Sequence, residues 1–167
     1  MDDKIKKLII KLAHRFPRKE SALLPALSLI QKRNGCVTED DLTEIANIMN
    51  IPQARVFSAA SFYTMLSLKK IGKYHIQVCT NVVCSLLNGE SVIDYVSGKL
   101  GIKEGEVTPD GLFSIASVEC LGSCGHAPAI LINMVHYENM DLKKIDKIID
   151  SLKNGNGGDY VINNQIS

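Results

Sequence analysis

Two cysteine pairs constrain the fold of this chain more than any other feature: Cys79 and Cys84 in "VCTNVVCSLL", and Cys120 and Cys124 in "VECLGSCGHAPAI". Each pair starts where an alternating apolar stretch stops. "YHIQVC" runs into Cys79 and "LFSIASVEC" ends at Cys120, and both stretches predict strands. Neighbouring parallel strands deliver the loops that follow them to one edge of a sheet. Such a sheet brings Cys79 and Cys84 to face Cys120 and Cys124, although 35 residues separate the inner two. Four thiolates in one small volume need a cation or a cluster to hold them charged, because a free thiol titrates near about 8.5. Gly122 and Gly125 allow a tight turn around a bound group and bring N–H donors towards its sulfurs.

On spacing alone, several readings of the four thiols stand. They hold a [2Fe–2S] cluster, two thiolates per iron; or they hold a structural zinc, for which gaps of four and three residues are tolerable but atypical. Buried thiols that bind nothing are the third reading, and thiol–disulfide chemistry, which favours a two-residue gap absent here, is the fourth. "CGH" at 124–126 has the first half of a Rieske pattern, but no second cysteine–histidine pair exists. His126 is therefore expected to be a loop residue near the site, and His14, His75 and His136 structural histidines. Cys36 has no spaced partner and reads as a packing residue. Glu119, beside Cys120, either adds negative charge near the metal, making reduction harder, or points to solvent.

The 167 residues suffice for one domain or two small ones. A net charge of +1, with 22% charged residues spread along the chain, provides no basic field for nucleic acid. The opening "MDDKIKKLIIKLAHRF" lacks the unbroken apolar core of a signal peptide, and no apolar run approaches a membrane span. The expected setting is thus the cytoplasm, with no direct membrane insertion. Five cysteines, an odd count, favour metal or redox chemistry over a disulfide framework.

The first 66 or so residues read as helices. Ile5, Leu8, Ile9 and Leu12 share one face of a segment ended by Pro17. Ser21 is the expected cap of a second helix, closed by Gly35. Thr38 caps a third, with Leu42, Ile45, Ala46 and Met49 as its buried stripe, and Pro52 opens a fourth. From Tyr74 the period changes. A strand, the helix "GESVIDYVSGKLG", a second strand, a hairpin from "PAILIN" and "MVHYE", and a helix through Leu142, Ile145, Ile148, Ile149 and Leu152 give the order β-α-β-β-α. The expected fold class is α+β: residues 1–70 a helical docking domain, 71–153 an α/β domain, and 154–167 a flexible tail. "NGNGGD" at 154–159 lacks the strand and helix that frame a dinucleotide loop, and no acid, base and nucleophile assemble around one pocket.

"CTNVVC" at 79–84, "SLLNGE" at 85–90, "VECLGSCGHAP" at 118–128 and "YEN" at 137–139 carry a resemblance that runs from about Ile5 to Leu152. The helical stretch from Val37 to Leu66, down to its "FYTM" ending, carries it too. The chain resembles the thioredoxin-like [2Fe–2S] subunit of NADH dehydrogenases, the E subunit of complex I. Relatives of that protein occur in NAD(P)-linked and electron-bifurcating hydrogenases and in formate dehydrogenases. The resemblance implies a thioredoxin-like [2Fe–2S] domain behind a helical bundle, with Cys79, Cys84, Cys120 and Cys124 as ligands of one cluster. It implies FMN and NAD(P)H on a partner subunit, and further iron–sulfur subunits in the same complex. This chain would then be an electron carrier without a substrate site of its own, soluble or peripheral on the cytoplasmic side. A zinc-stapled interaction module and a thioredoxin-like thiol oxidoreductase are the alternatives. Cys36 departs from the family, which commonly has an aromatic or aliphatic residue there, and "NVV" between the first ligands is expected to vary freely. Phe62, Tyr63 and Met65 are the expected partner contact.

Overall fold

A computed structural model describes residues 1–155; the expected tail lies outside the described residues from position 156 on. Side-chain caps from Asp2, Thr38 and Asp141 start three of the helices. Thr38 accepts a hydrogen bond from the Asp41 N–H at 3.2 Å, while the Asp41 carboxylate accepts from the Thr38 N–H at 3.0 Å. This reciprocal box opens a helix in which Leu42, Ile45, Ala46 and Met49 are buried, as their spacing requires. The other N-terminal helices are α1 (Asp3–Ala13), α2 (Leu23–Asn34) and α4 (Gln53–Phe62), the one opened by the box being α3 (Glu39–Met49). Their apolar faces meet in one core around Ile9, Leu27, Ile30, Ile45 and Val56. Together they form a compact unit, Met1–Lys70; a second begins at Ile71.

The second unit contains β1 (Tyr74–Cys79), α5 (Val82–Leu86), α6 (Gly89–Leu100), β2 (Phe113–Val118), β3 (Ile130–Ile132), β4 (Val135–Tyr137) and α7 (Leu142–Lys153). The sheet order is β2-β1-β3-β4. β1 and β2 run parallel over their whole length, from Tyr74 opposite Phe113 to Cys79 opposite Val118. β3 and β4 form the expected hairpin, with β3 antiparallel to β1. Ile76, Val78, Phe113, Ile115 and Ile130 from the strands pack with Val92 and Val96 of α6 and with Ile145 and Ile149 of α7. The fold is thus α+β, a helical N-terminal part followed by a four-stranded mixed sheet with helices, as expected.

Four local expectations are corrected. Ser21 caps nothing: it lies inside a single 3-10 turn, Lys19–Ala22, and α2 starts only at Leu23 without a side-chain cap. Burial of Ala22 at the end of that turn and of Leu23 at the first position of α2 draws the chain into the core there. Leu8 is exposed, because the inner face of α1 is centred on Ile9 with Ile5 and Leu12 packed beside it. Leu142 is likewise exposed, since it opens α7 one turn before its buried stripe. β2 stops at Val118, two residues short of Cys120, and α5 is a helical turn that no apolar period announced.

Candidate metal centre

The parallel register sets the site. With Cys79 opposite Val118, both strands release their loops at one edge. The Thr80 N–H donates to the Val118 carbonyl at 3.0 Å, and the Cys79 N–H donates to the Ala129 carbonyl at 3.1 Å. The end of β1 is therefore held on one side by the chain entering the second cysteine loop and on the other by the chain leaving it. Cys84 follows on α5. Gly89, the first residue of α6, lies where a Cβ would stand 2.8 Å from the carbonyl oxygens of both Cys79 and Cys84. Only glycine allows the helix to come so close to the first loop.

The thiols stand as two pairs with different surroundings. Cys79 and Cys84 are buried and pack with Ala129, Leu121 and Ala127. Burial works to raise the Cys79 thiol, but the N–H groups of Asn81 and Leu121 and the Cys84 thiol donate to its sulfur, and the net effect is a lowered pKa. Burial first, then the neighbouring Cys79, pushes Cys84 up against the opposing N–H of Ala129. Cys120 and Cys124 are exposed, with sulfurs 3.4 Å apart. Gly122, at φ +81°, turns its N–H onto the Cys120 sulfur at 3.4 Å. Cys120 raises the Cys124 thiol, and Cys79 also raises it by repulsion, so the two pairs share one electrostatic region.

This donor set fits an iron–sulfur group. All four side chains are thiols, and backbone N–H groups of Asn81, Leu121, Ala129 and Gly122 point at three of the sulfurs. Among the described residues no three His, Cys, Asp or Glu side chains close on a single-ion position.

His126 is exposed, its Nδ1 3.7 Å from a Glu138 oxygen. His75 lies near the start of β1, at the far end from Cys79, with Nδ1 2.8 Å from the Ser114 hydroxyl; burial lowers its pKa. His136 is on β4 and His14 ends α1. Cys36 is half-buried in the first unit, between α2 and α3. Glu119 faces the site: its carboxylate accepts from the Asn81 amide at 3.0 Å and acts by repulsion on the Cys79 sulfur. Asn81, between the first two cysteines, thus bonds across to the loop of the second pair. Neither its cross-loop bond nor the Gly89 cradle has a local signature in the sequence.

Fold and donor set together define a thioredoxin-like α/β unit with a four-cysteine edge. The sequence pattern of the thioredoxin-like [2Fe–2S] ferredoxins matches residues 9–153, and the chain belongs to that family. The family is one of [2Fe–2S] electron carriers, and membership implies one such cluster for this chain. The chain is 40% identical to the E subunit of NADH-quinone oxidoreductase from Rickettsia conorii (strain ATCC VR-613 / Malish 7) over 156 residues, covering 92% of this chain and 93% of that one. It is 43% identical to the corresponding protein of Rickettsia bellii (strain RML369-C) over 137 residues, 81% and 82% of the two chains. Among solved structures, the crystal structure of an air-oxidized NAD+-reducing [NiFe]-hydrogenase shares the fold with a TM-score of 0.68 at 23% identity. That match covers 80% of this chain and 23% of the hydrogenase chain.

Proposed function

We propose that Cys79, Cys84, Cys120 and Cys124 hold the cluster, two thiolates per iron, and that the chain is the electron-transferring E subunit of an NADH-quinone oxidoreductase. The observation that carries the ligand assignment is the parallel β1–β2 register, which opens both cysteine loops at one edge. The choice of complex rests on 40% identity over nearly the full length of both chains. Likeness to the hydrogenase concerns the fold, so a hydrogenase or formate dehydrogenase assembly is the second choice. In this reading FMN and NAD(P)H belong to a partner subunit, and further iron–sulfur subunits carry the electrons onward.

When bound, a [2Fe–2S] cluster takes up one electron and gives it back. The residues of the chain prepare for that in separable ways. Cys79 and Cys84 keep one side away from water, while Cys120 and Cys124 remain on the accessible side that a partner can approach. N–H donors to the sulfurs stabilise thiolate charge, and the Glu119 carboxylate opposes further negative charge. Val82 and Leu86 expose apolar surface on the same short helix as Cys84, which suits a contact with the flavin-binding partner.

Residues 1–70 serve as the docking domain and 71–153 as the cluster domain. Phe62, Tyr63 and Met65 are exposed, the two rings edge to face at 5.2 Å, and they are the contact we assign to a partner. Replacing all three without loss of assembly rules that contact out. No helix among the described residues is long and apolar enough to cross a membrane.

Anaerobic purification, a visible spectrum and an iron and sulfide count test the whole reading. A red-brown chain with two irons and two sulfides that bleaches on reduction supports it. A colourless chain holding one zinc establishes the interaction module, and thiol oxidoreductase activity that survives iron removal establishes the enzyme. Membership of a [2Fe–2S] family favours the cluster over zinc, which gathers four ligands around one ion.

A further inference from the structure

Asn81 occupies the N-cap position of α5, with extended backbone at φ −74° and ψ 164°. An asparagine there ordinarily turns its side chain onto the N–H groups of its own helix, a bond worth keeping. Here the side chain makes no such bond. It reaches across the site, and its amide donates to the Glu119 carboxylate of the opposite loop at 3.0 Å. The Asn81 backbone is committed to the first loop: its N–H points at the Cys79 sulfur, and its carbonyl accepts from the Ser85 N–H at 2.9 Å, on the helix bearing Cys84. Glu119 stands immediately before Cys120. One hydrogen bond therefore joins the loop between Cys79 and Cys84 to the residue that leads into the second pair.

We infer that Asn81 and Glu119 form a clasp that holds the two thiol pairs at their working separation, and that the carboxylate of the clasp biases the site against taking up an electron. The inference rests on the ligand assignment made above. Asn81 and Glu119 are positioning residues, since neither supplies a thiolate. The two roles separate by substitution. Asn81→Ala removes the clasp and leaves the charge. Glu119→Gln leaves an amide oxygen that accepts from Asn81 and removes the charge. Asn81→Asp sets two carboxylates against each other.

The test uses the full chain, purified anaerobically, with far-UV circular dichroism as the check on folding. Two quantities are read: the rate of cluster loss to a ferrous chelator, and the midpoint potential from a redox titration. Asn81→Ala should lose its cluster roughly threefold to tenfold faster, as expected for an exposed bond to a charged group, with its midpoint close to wild type. Glu119→Gln should keep the wild-type rate while its midpoint moves positive. Asn81→Asp should lose the cluster faster than Asn81→Ala and move the midpoint negative. Adding Glu119→Ala to Asn81→Ala should not accelerate loss further, because the bond is already gone. Equal loss rates for wild type and Asn81→Ala overturn the clasp, and an unmoved midpoint in Glu119→Gln overturns the charge effect. Absence of iron and sulfide from the wild-type chain overturns the ligand assignment itself.

Discussion

One helix provides a test in which the same substitution should have opposite signs at its two ends. Gly89 and Gly98 both lie in α6, and both are candidates for the stabilisation that alanine usually brings to a helix. At Gly89 the added Cβ would stand 2.8 Å from the carbonyl oxygens of Cys79 and Cys84 and 3.0 Å from the Cys84 carbonyl carbon. All three are backbone atoms, so relief requires moving the cysteine loop or the helix. Overpacking of this kind costs about 1–3 kcal/mol. The helix propensity gained at the first helical position recovers only part of up to about 1 kcal/mol. The net is a destabilisation of roughly 1–2 kcal/mol, and for a unit of this size that lowers the midpoint of thermal unfolding by about 5–15 °C. The loop that must shift carries two thiols, so Gly89→Ala should also retain less iron and sulfide. At Gly98 nothing lies within 4 Å of the added Cβ. There Gly98→Ala should stabilise by about 0.5–1 kcal/mol through helix propensity and a less flexible unfolded chain. The assay is a thermal melt followed both by far-UV circular dichroism and by visible absorption, with a metal count on each variant. A Gly89→Ala protein as stable as wild type and fully loaded would refute the close approach of α6 to the cysteine loop.

Other consequences are direct. Thr38→Ala removes the acceptor for the Asp41 N–H and should destabilise the first unit by about 1 kcal/mol, while the visible spectrum stays unchanged; a chemical melt reports it. Cys36→Ser should leave iron and sulfide counts intact, whereas Cys84→Ser or Cys120→Ser should abolish the spectrum, and the reverse pattern would move the site. His75 has its pKa lowered by burial, so the unfolded chain binds its proton more readily than the folded one. Its contribution to stability is present above the ordinary histidine value of 6.5 and is lost as pH falls from there through the lower folded value. His75→Gln should flatten that part of a plot of stability against pH, and an unchanged slope would exclude the residue as its source.

What could be read from residues alone was what neighbours in the chain decide. Thr38 and Asp41 are three apart, so the box that opens α3 and the stripe Leu42, Ile45, Ala46 and Met49 were written in one short segment. "YHIQVC" alternates and became β1 without a shift at either end, and "GESVIDYVSGKLG" became α6, closed by Gly101. The expectation that two strand-terminal thiol pairs meet needed only a parallel β1 and β2, and those strands pair in parallel over six residues each.

The failures share a cause. Ser21 and Leu8 have the right chemistry for a cap and a buried face, but the burial of Ala22, Leu23 and Ile9 decided how the chain enters and turns. No local rule separates a buried Cys79 and Cys84 from an exposed Cys120 and Cys124, because that depends on Ala127 and Ala129 returning over the first pair. The diversion of Asn81 from its own helix to Glu119 and the pressure on Gly89 from two carbonyls arise between groups that only folding brings into contact. Helix caps and strand alternation are short-range preferences that survive folding. The wall, charge and fit of a four-thiol site come from contacts that exist only after β1 and β2 have paired.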